Sequence, residues 1–255
     1  MSKQPSSITI DQDEIEKFTK MADEWWDENG KFKPLHKFNP VRIDYINRNI
    51  QKHFNRKIED VTKPLSGFKI LDIGCGGGLV SEPVAKLGAN VTAIDAGEKN
   101  IKIASIHAKQ SSVDINYRNI SAEDLLKEGN KFDVILNLEV LEHVADVGSF
   151  IETSIKLLNP GGIMFMATLN RTAKSYAFAV IGAEYVLRWL PKGTHDWKKF
   201  LKPSEIAKNI NNDSITIKEI KGISFNPIKD KWFLSDDTDI NYMMTISKEN
   251  KTSGK

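Results

Sequence analysis

The chain has 255 residues, a formal net charge of +2, 40% apolar and 27% charged residues, and one cysteine, Cys75. These values suit one α/β domain or a domain with an insertion, argue against a broad nucleic-acid-binding surface, and exclude an internal disulfide. No apolar stretch reaches the roughly 20 residues that span a bilayer. The acidic start, with Asp11, Asp13 and Glu14 and no Arg, fits neither a signal peptide nor a mitochondrial transit peptide.

In chain order, residues 1–12 are expected to be disordered. Residues 11–29 carry Ile15, Phe18, Met21, Ala22, Trp25 and Trp26 near one helical face, and Asn29-Gly30 ends that run. Asn39-Pro40 opens a second helix through Val41, Ile43, Ile46 and Ile50. Residues 13–60 together read as a helical cap whose aromatic side chains close the site and exclude water. From Phe68 onward strands and helices alternate. Strands are expected over 68–73, 91–94, 115–118, 132–138 and 163–169, and helices over 79–87, 101–108 and 150–158. That alternation means a mostly parallel sheet with helices on both faces. Residues 214–223 and 240–247 read as two late strands without a helix between them, hence an antiparallel hairpin at the sheet edge. The sheet domain is placed at 61–247, with seven strands, and residues 248–255 as a disordered tail.

The first strand runs into Leu71-Asp72-Ile73-Gly74-Cys75-Gly76-Gly77-Gly78, and the second ends on Asp95. Glycines let backbone approach a ligand, and a carboxylate at the next strand end can accept from ribose hydroxyls. The Gly74-x-Gly76-x-Gly78 spacing departs from the dinucleotide fingerprint, and no Gly-Lys-Ser/Thr follows, which disfavours a phosphate cradle. The segment resembles motif I of class I S-adenosylmethionine-dependent methyltransferases, a Rossmann-like α/β fold. The resemblance implies that Gly74 and Gly76 pass the amino-acid end of S-adenosylmethionine and that Asp95 holds its ribose. Asp124, in Ser121-Ala122-Glu123-Asp124 after the third strand, would meet the adenine, or Asp124 or Glu123 would serve as a helix N-terminal charge. Leu138 would pack against the cofactor.

Directly after the fourth strand come Glu139-Val140-Leu141-Glu142-His143. Ligands in open α/β sheets bind at the carboxyl ends of strands. Glu139, Glu142 and His143 share one face if a helical turn begins there, and two carboxylates with an imidazole suit a divalent cation such as Mg²⁺ or Zn²⁺. A cation would stabilise a phenolate nucleophile. Otherwise His143 acts as general base, or Glu142 pairs locally and His143 packs beside the cofactor. The stretch 175–190 is apolar almost all round a helix, with only Glu184 and Arg188 charged and lysines at its flanks. It reads as an apolar helical insertion, within 173–200, that lies in a membrane interface or is buried against another subunit.

The runs Phe18 to Asp27, Pro34 to Arg42, Thr168 to Arg171, Gly182 to Tyr185, Pro191 to Phe200, Gly222 to Pro227 and Asp239 to Met243 resemble the ubiquinone biosynthesis O-methyltransferases. Coverage runs from about Asp13 to Ser247. The resemblance implies methylation of a hydroxyl on 2-polyprenyl-6-hydroxyphenol and on 3-demethylubiquinol. It puts Arg42, Gly74, Asp95 and Leu138 at the cofactor, with Arg42 pairing the methionine carboxylate, and Glu139, Glu142 and His143 at the family's proposed metal positions. It also implies a cytoplasmic protein, docked peripherally on the inner membrane beside other ubiquinone-synthesis enzymes. The rival readings are a methyltransferase for another acceptor and a non-catalytic lipid-binding scaffold.

Overall fold

Ile70 and Leu71 are neighbours in the chain, yet they fall into two different cores. Successive side chains of a strand point to opposite faces, so a strand with both buried must have layers on both sides. The computed structural model describes residues 9–56, 60–177, 196–210 and 214–250. Among them run β1 (Lys69–Ile73), β2 (Asn90–Ile94), β3 (Asn116–Arg118), β4 (Phe132–Leu138), β5 (Leu158–Leu169), β6 (Ile215–Asn226), β7 (Lys231–Ser235) and β8 (Asn241–Lys248). The helices are α1 (Gln12–Met21), α2 (Lys33–Phe54), α3 (Ser81–Lys86), α4 (Glu98–Gln110), α5 (Ala122–Lys127), α6 (Val147–Leu157), the single turn α7 (Ala173–Ser175) and α8 (Pro203–Asn209).

The sheet order is β3-β2-β1-β4-β5-β8-β6-β7. The first five strands are parallel and the last three antiparallel. The order reverses between β1 and β4, so the crevice of a doubly wound sheet opens at their carboxyl ends, at Gly74 and Glu139. One face is packed by Tyr45, Ile46 and Ile50 of α2, and the other by Leu125 of α5 and Phe150, Ile151 and Ile155 of α6. A third, smaller cluster of Met21, Ala22, Trp25, Phe32 and Leu79 sits over the glycine turn.

The sheet has eight strands where the sequence pattern gave seven. The additional one, β7, is a short edge strand whose alternation is weak because Phe233 stays 46% exposed. It pairs antiparallel with β6, and β8 then returns to lie between β5 and β6. The late pair is therefore antiparallel as expected, but its connection passes through β7. Helix α2 begins at Lys33, six residues before the expected start, with Pro34 in its first turn where a missing N–H costs nothing. Pro40 lies inside the helix, and α2 lies against the sheet face more than it caps the site.

The N-terminus is ordered earlier than expected. Thr9 is buried, Ile10 forms a bridge with Val144, and Asp11 caps α1 by accepting from the Asp13 and Glu14 amides. At the other end β8 extends through Lys248. The apolar run 175–190 lies, beyond Ala177, outside the described residues. Among the described residues no helix is long and apolar enough to cross a membrane.

Candidate active site

The glycine turn is built from its hydrogen bonds. The Gly74 and Cys75 amides both donate to the Ile94 carbonyl, at 2.8 and 3.0 Å, which ties the end of β1 to the end of β2. Gly74 and Gly76 hold φ of 73° and 52°, a region that favours glycine. A Cβ on Gly76 would come within 2.5 Å of the Trp25 ring, and one on Gly74 within 2.7 Å of Val140. Asp95 binds this turn directly. Its Oδ2 accepts from the Gly76 amide at 2.9 Å, and its Oδ1 accepts from the Gly97 amide at 2.7 Å and from Asn100 at 3.1 Å. Oδ1 is thereby filled, and Oδ2 keeps lone-pair capacity for a further donor. Burial raises the Asp95 pKa, opposed by those hydrogen bonds.

Below the turn, Asp72 is buried and accepts from Ser81 Oγ at 2.6 Å. Burial pushes its pKa up to about 6. Burial also pushes the Cys75 thiol up, so it is a packing group and not a thiolate nucleophile. Above the turn lies the strap from Thr9 to Trp26. Trp25 Nε1 donates to Asn100 at 3.0 Å and stacks on Phe32 at 3.8 Å, and Trp26 Nε1 donates to the Gly77 carbonyl at 2.9 Å. Trp26 also stacks on His107, which is bonded to the buried Glu82 at 2.6 Å.

A cavity of about 150 Å³ lies between strap and sheet. Glu14 and Phe18 line it from α1, Gly74 and Gly76 from the turn, Asp95 from β2, and Glu139 and His143 from the segment after β4. Glu139 has φ of 54°, a conformation a non-glycine residue adopts only when its surroundings impose it. Its amide donates to the Ala167 carbonyl at 2.8 Å, and its carboxylate forms an ion pair with Arg42. Arg42 is 4% exposed and stands over the Phe38 ring at 4.0 Å. Burial lowers its pKa to about 9, so it remains a cation at neutral pH.

His143 lies in a short 3-10 turn, Leu141–His143. Its Nδ1 is 3.0 Å from Glu14 Oε2, and Phe18 meets its ring edge-on. A carboxylate only accepts, so Nδ1 carries the hydrogen, and in the neutral ring Nε2 is then the acceptor. The bond from His143, and behind it one from Lys199, holds the Glu14 pKa well below the usual carboxylate range, against burial. Glu142 is buried and accepts from Thr168 Oγ1 at 2.8 Å.

The expected metal set does not converge. Glu139 faces Arg42, Glu142 faces Thr168 and His143 faces Glu14, because the chain turns at Glu139 into a 3-10 turn and not an α-helical one. Among the described residues no group of three or more His, Cys, Asp or Glu side chains is arranged to hold a metal ion. Two further positions differ from expectation. Asp124 is turned away, accepting from Ser121 at the start of its own helix and from Lys127 at 2.7 Å, while Glu123 lines the cavity with one buried oxygen unpartnered. Leu138 sits in the core on the α2 face, and Val140 takes the place beside Gly74. Sequence reasoning missed Glu14, Asn100 and Lys199. Glu14 and His143 are 129 positions apart, so no spacing signals their contact.

Residues 71–166 match the methyltransferase domain family. The chain is 53% identical over 240 residues to the ubiquinone biosynthesis O-methyltransferase of Pelagibacter ubique, covering 94% of this chain and 99% of that one. It is 54% identical over 244 residues to the enzyme of the same name from Caulobacter vibrioides, covering 95% and 96%. The plantazolicin methyltransferase BpumL in complex with SAH superposes with a TM-score of 0.64 at 17% identity, over 94% of this chain and 99% of that one, a likeness of fold.

Proposed function

We propose, for a chain that belongs to the ubiquinone biosynthesis O-methyltransferase family, a transfer of methyl to a hydroxyl of a polyprenylated catechol or hydroquinone ring. The protein is an S-adenosylmethionine-dependent O-methyltransferase. The acceptors we assign are 2-polyprenyl-6-hydroxyphenol and 3-demethylubiquinol. One observation supports the reading most: a single cavity is lined both by Asp95 and the glycine turn and by His143. S-adenosylmethionine supplies an electrophilic methyl group with a good leaving group already in place.

The chain's own groups then have two tasks. Gly74 and Gly76 pass the cofactor's amino-acid end, Asp95 holds its ribose, and the unpartnered Glu123 oxygen beside the cavity suits the adenine amino group. His143 Nε2 takes the proton from the phenol, whose ordinary pKa near 10 makes it a poor nucleophile at neutral pH. Glu14 fixes the tautomer that leaves Nε2 basic. Alignment of the hydroxyl against the methyl group accounts for the rest of the rate. Arg42 in this reading exchanges Glu139 for the cofactor's carboxylate, since a guanidinium binds either one in the same planar geometry. A prenylated acceptor partitions into a bilayer, which supports a peripheral seat on the inner membrane beside other enzymes of the pathway.

The test is transfer of label from S-adenosylmethionine to a short-chain demethylubiquinol, with EDTA and after Mg²⁺ or Zn²⁺ repletion. We expect turnover that is indifferent to EDTA, and a loss of about 10²–10⁴-fold in His143→Ala with SAH binding nearly intact. Activity that vanishes with EDTA and returns with metal would move the deprotonation from His143 to a cation. No transfer to any catechol would overturn the acceptor assignment.

A further inference from the structure

Arg42 is reached from the protein surface by a continuous line of aromatic contacts. Its guanidinium stands 4.0 Å over Phe38, Phe38 is 5.5 Å from Trp232, and Trp232 is 5.1 Å from Phe225, its cross-strand partner in the β6–β7 hairpin. Exposure rises along the line. Arg42 is 4% exposed, Phe38 and Trp232 are partly buried, Phe225 is 36% exposed, and Ile228 at the hairpin tip is 94% exposed. The inner end is the Arg42–Glu139 pair, and Glu139 lines the cavity. A solvent-exposed Lys37–Asp230 ion pair at 3.4 Å also spans from α2 to the hairpin tip.

Exposed apolar side chains are common singly. Here they are ordered from the solvent to the charged edge of a catalytic cavity, which is the shape demanded by a ligand with a polar ring and a long hydrocarbon tail. Resting on the function proposed above, the geometry points to the face formed by Phe38, Trp232, Phe225 and Ile228 as the seat of the acceptor's isoprenoid tail. The ring hydroxyls lie toward Glu139 and His143, and the first isoprene units lie along Phe38 and Trp232. Water leaves both the tail and the rings on contact, so affinity increases with tail length up to the hairpin tip.

Two readouts test this in detergent micelles without phospholipid. The first is the ratio of kcat/KM for an acceptor with several isoprene units to that for the tail-less catechol. Phe225→Ser and Ile228→Ser lower that ratio about tenfold. Trp232→Phe keeps most of it, where Trp232→Ala alone risks unfolding the edge strand. The second is independent of turnover. A phenol carrying a diazirine on its prenyl chain labels the 222–235 peptide. An unchanged ratio in both serine variants, or label confined to other peptides, overturns the track. A ratio that falls on anionic phospholipid vesicles and holds in micelles overturns it too, and makes the hairpin a membrane contact. If wild-type protein methylates no catechol, the function proposed above fails, and the labelled peptide still decides where the tail sits.

Discussion

The two halves of the sheet are built on different physics. The parallel half, β1 to β5, is covered on both faces, and its glycine-turn end is mostly backbone: glycine amides, the Ile94 carbonyl and one carboxylate, Asp95. The antiparallel half, β6 to β8, ends in an edge hairpin with Phe225, Ile228 and Phe233 exposed. A backbone site admits one ligand geometry. A surface of aromatic side chains admits a family of tails. A methyl donor that is always the same molecule and an acceptor whose tail varies would call for that division.

The comparison breaks most decisively at Gly76. Gly76→Val forces a β-branched residue into positive φ and its Cβ into Trp25, so SAH affinity should fall by at least about a hundredfold in calorimetry. The photolabelling of the hairpin should survive that change if the halves are independent.

A second measurement sharpens the contrast through pH. The Asp72 pKa is raised from 3.8 to about 6 by burial, so the charged carboxylate opposes folding. That opposition is fully present above the folded pKa and fades as pH falls toward the unfolded one. Asp72→Asn retains an acceptor for Ser81. It should stabilise the fold by about 2–3 kcal/mol in urea unfolding at pH 8, with about half the gain left at pH 5. Glu14, on the strap side of the cavity, has its pKa lowered, so its contribution runs the other way and is lost in acid. A gain from Asp72→Asn that grows in acid would refute the assignment of burial as the cause.

The smallest effect belongs to the link across the two halves. Lys199 bonds Asp11 and Glu14 at 3.0 Å each, but its side chain is 38% exposed. Lys199→Ala should cost less than about 1 kcal/mol in the same unfolding assay. A larger loss would show that strap and sheet fold as one unit.

The parallel half was legible because its chemistry is local. Gly74 to Gly78 and Asp95 belong to consecutive elements, and β4 falls at Phe132–Leu138 as the apolar run indicates. The rest of the candidate site was not, because its contacts join distant segments: Arg42 with Glu139, Glu14 with His143, Phe38 with Trp232. The alignment of Glu139, Glu142 and His143 on one face assumed an α-helical turn. The positive φ at Glu139 and the 3-10 turn after it remove that assumption, and no propensity forecasts a strained glutamate. Asp124 misled for a related reason, since a carboxylate three residues beyond Ser121 serves its own helix start first.

Trp26 hangs the N-terminal strap from the Gly77 carbonyl, and Trp25 rests its ring where Gly76 and Gly77 lack side chains. Anchorage of the strap and occupancy of the turn therefore meet at the same glycines. By reciprocity, if the nucleoside sits at this turn, whatever frees the Thr9–Trp26 strap alters its affinity by the same factor with which it alters the strap's own attachment.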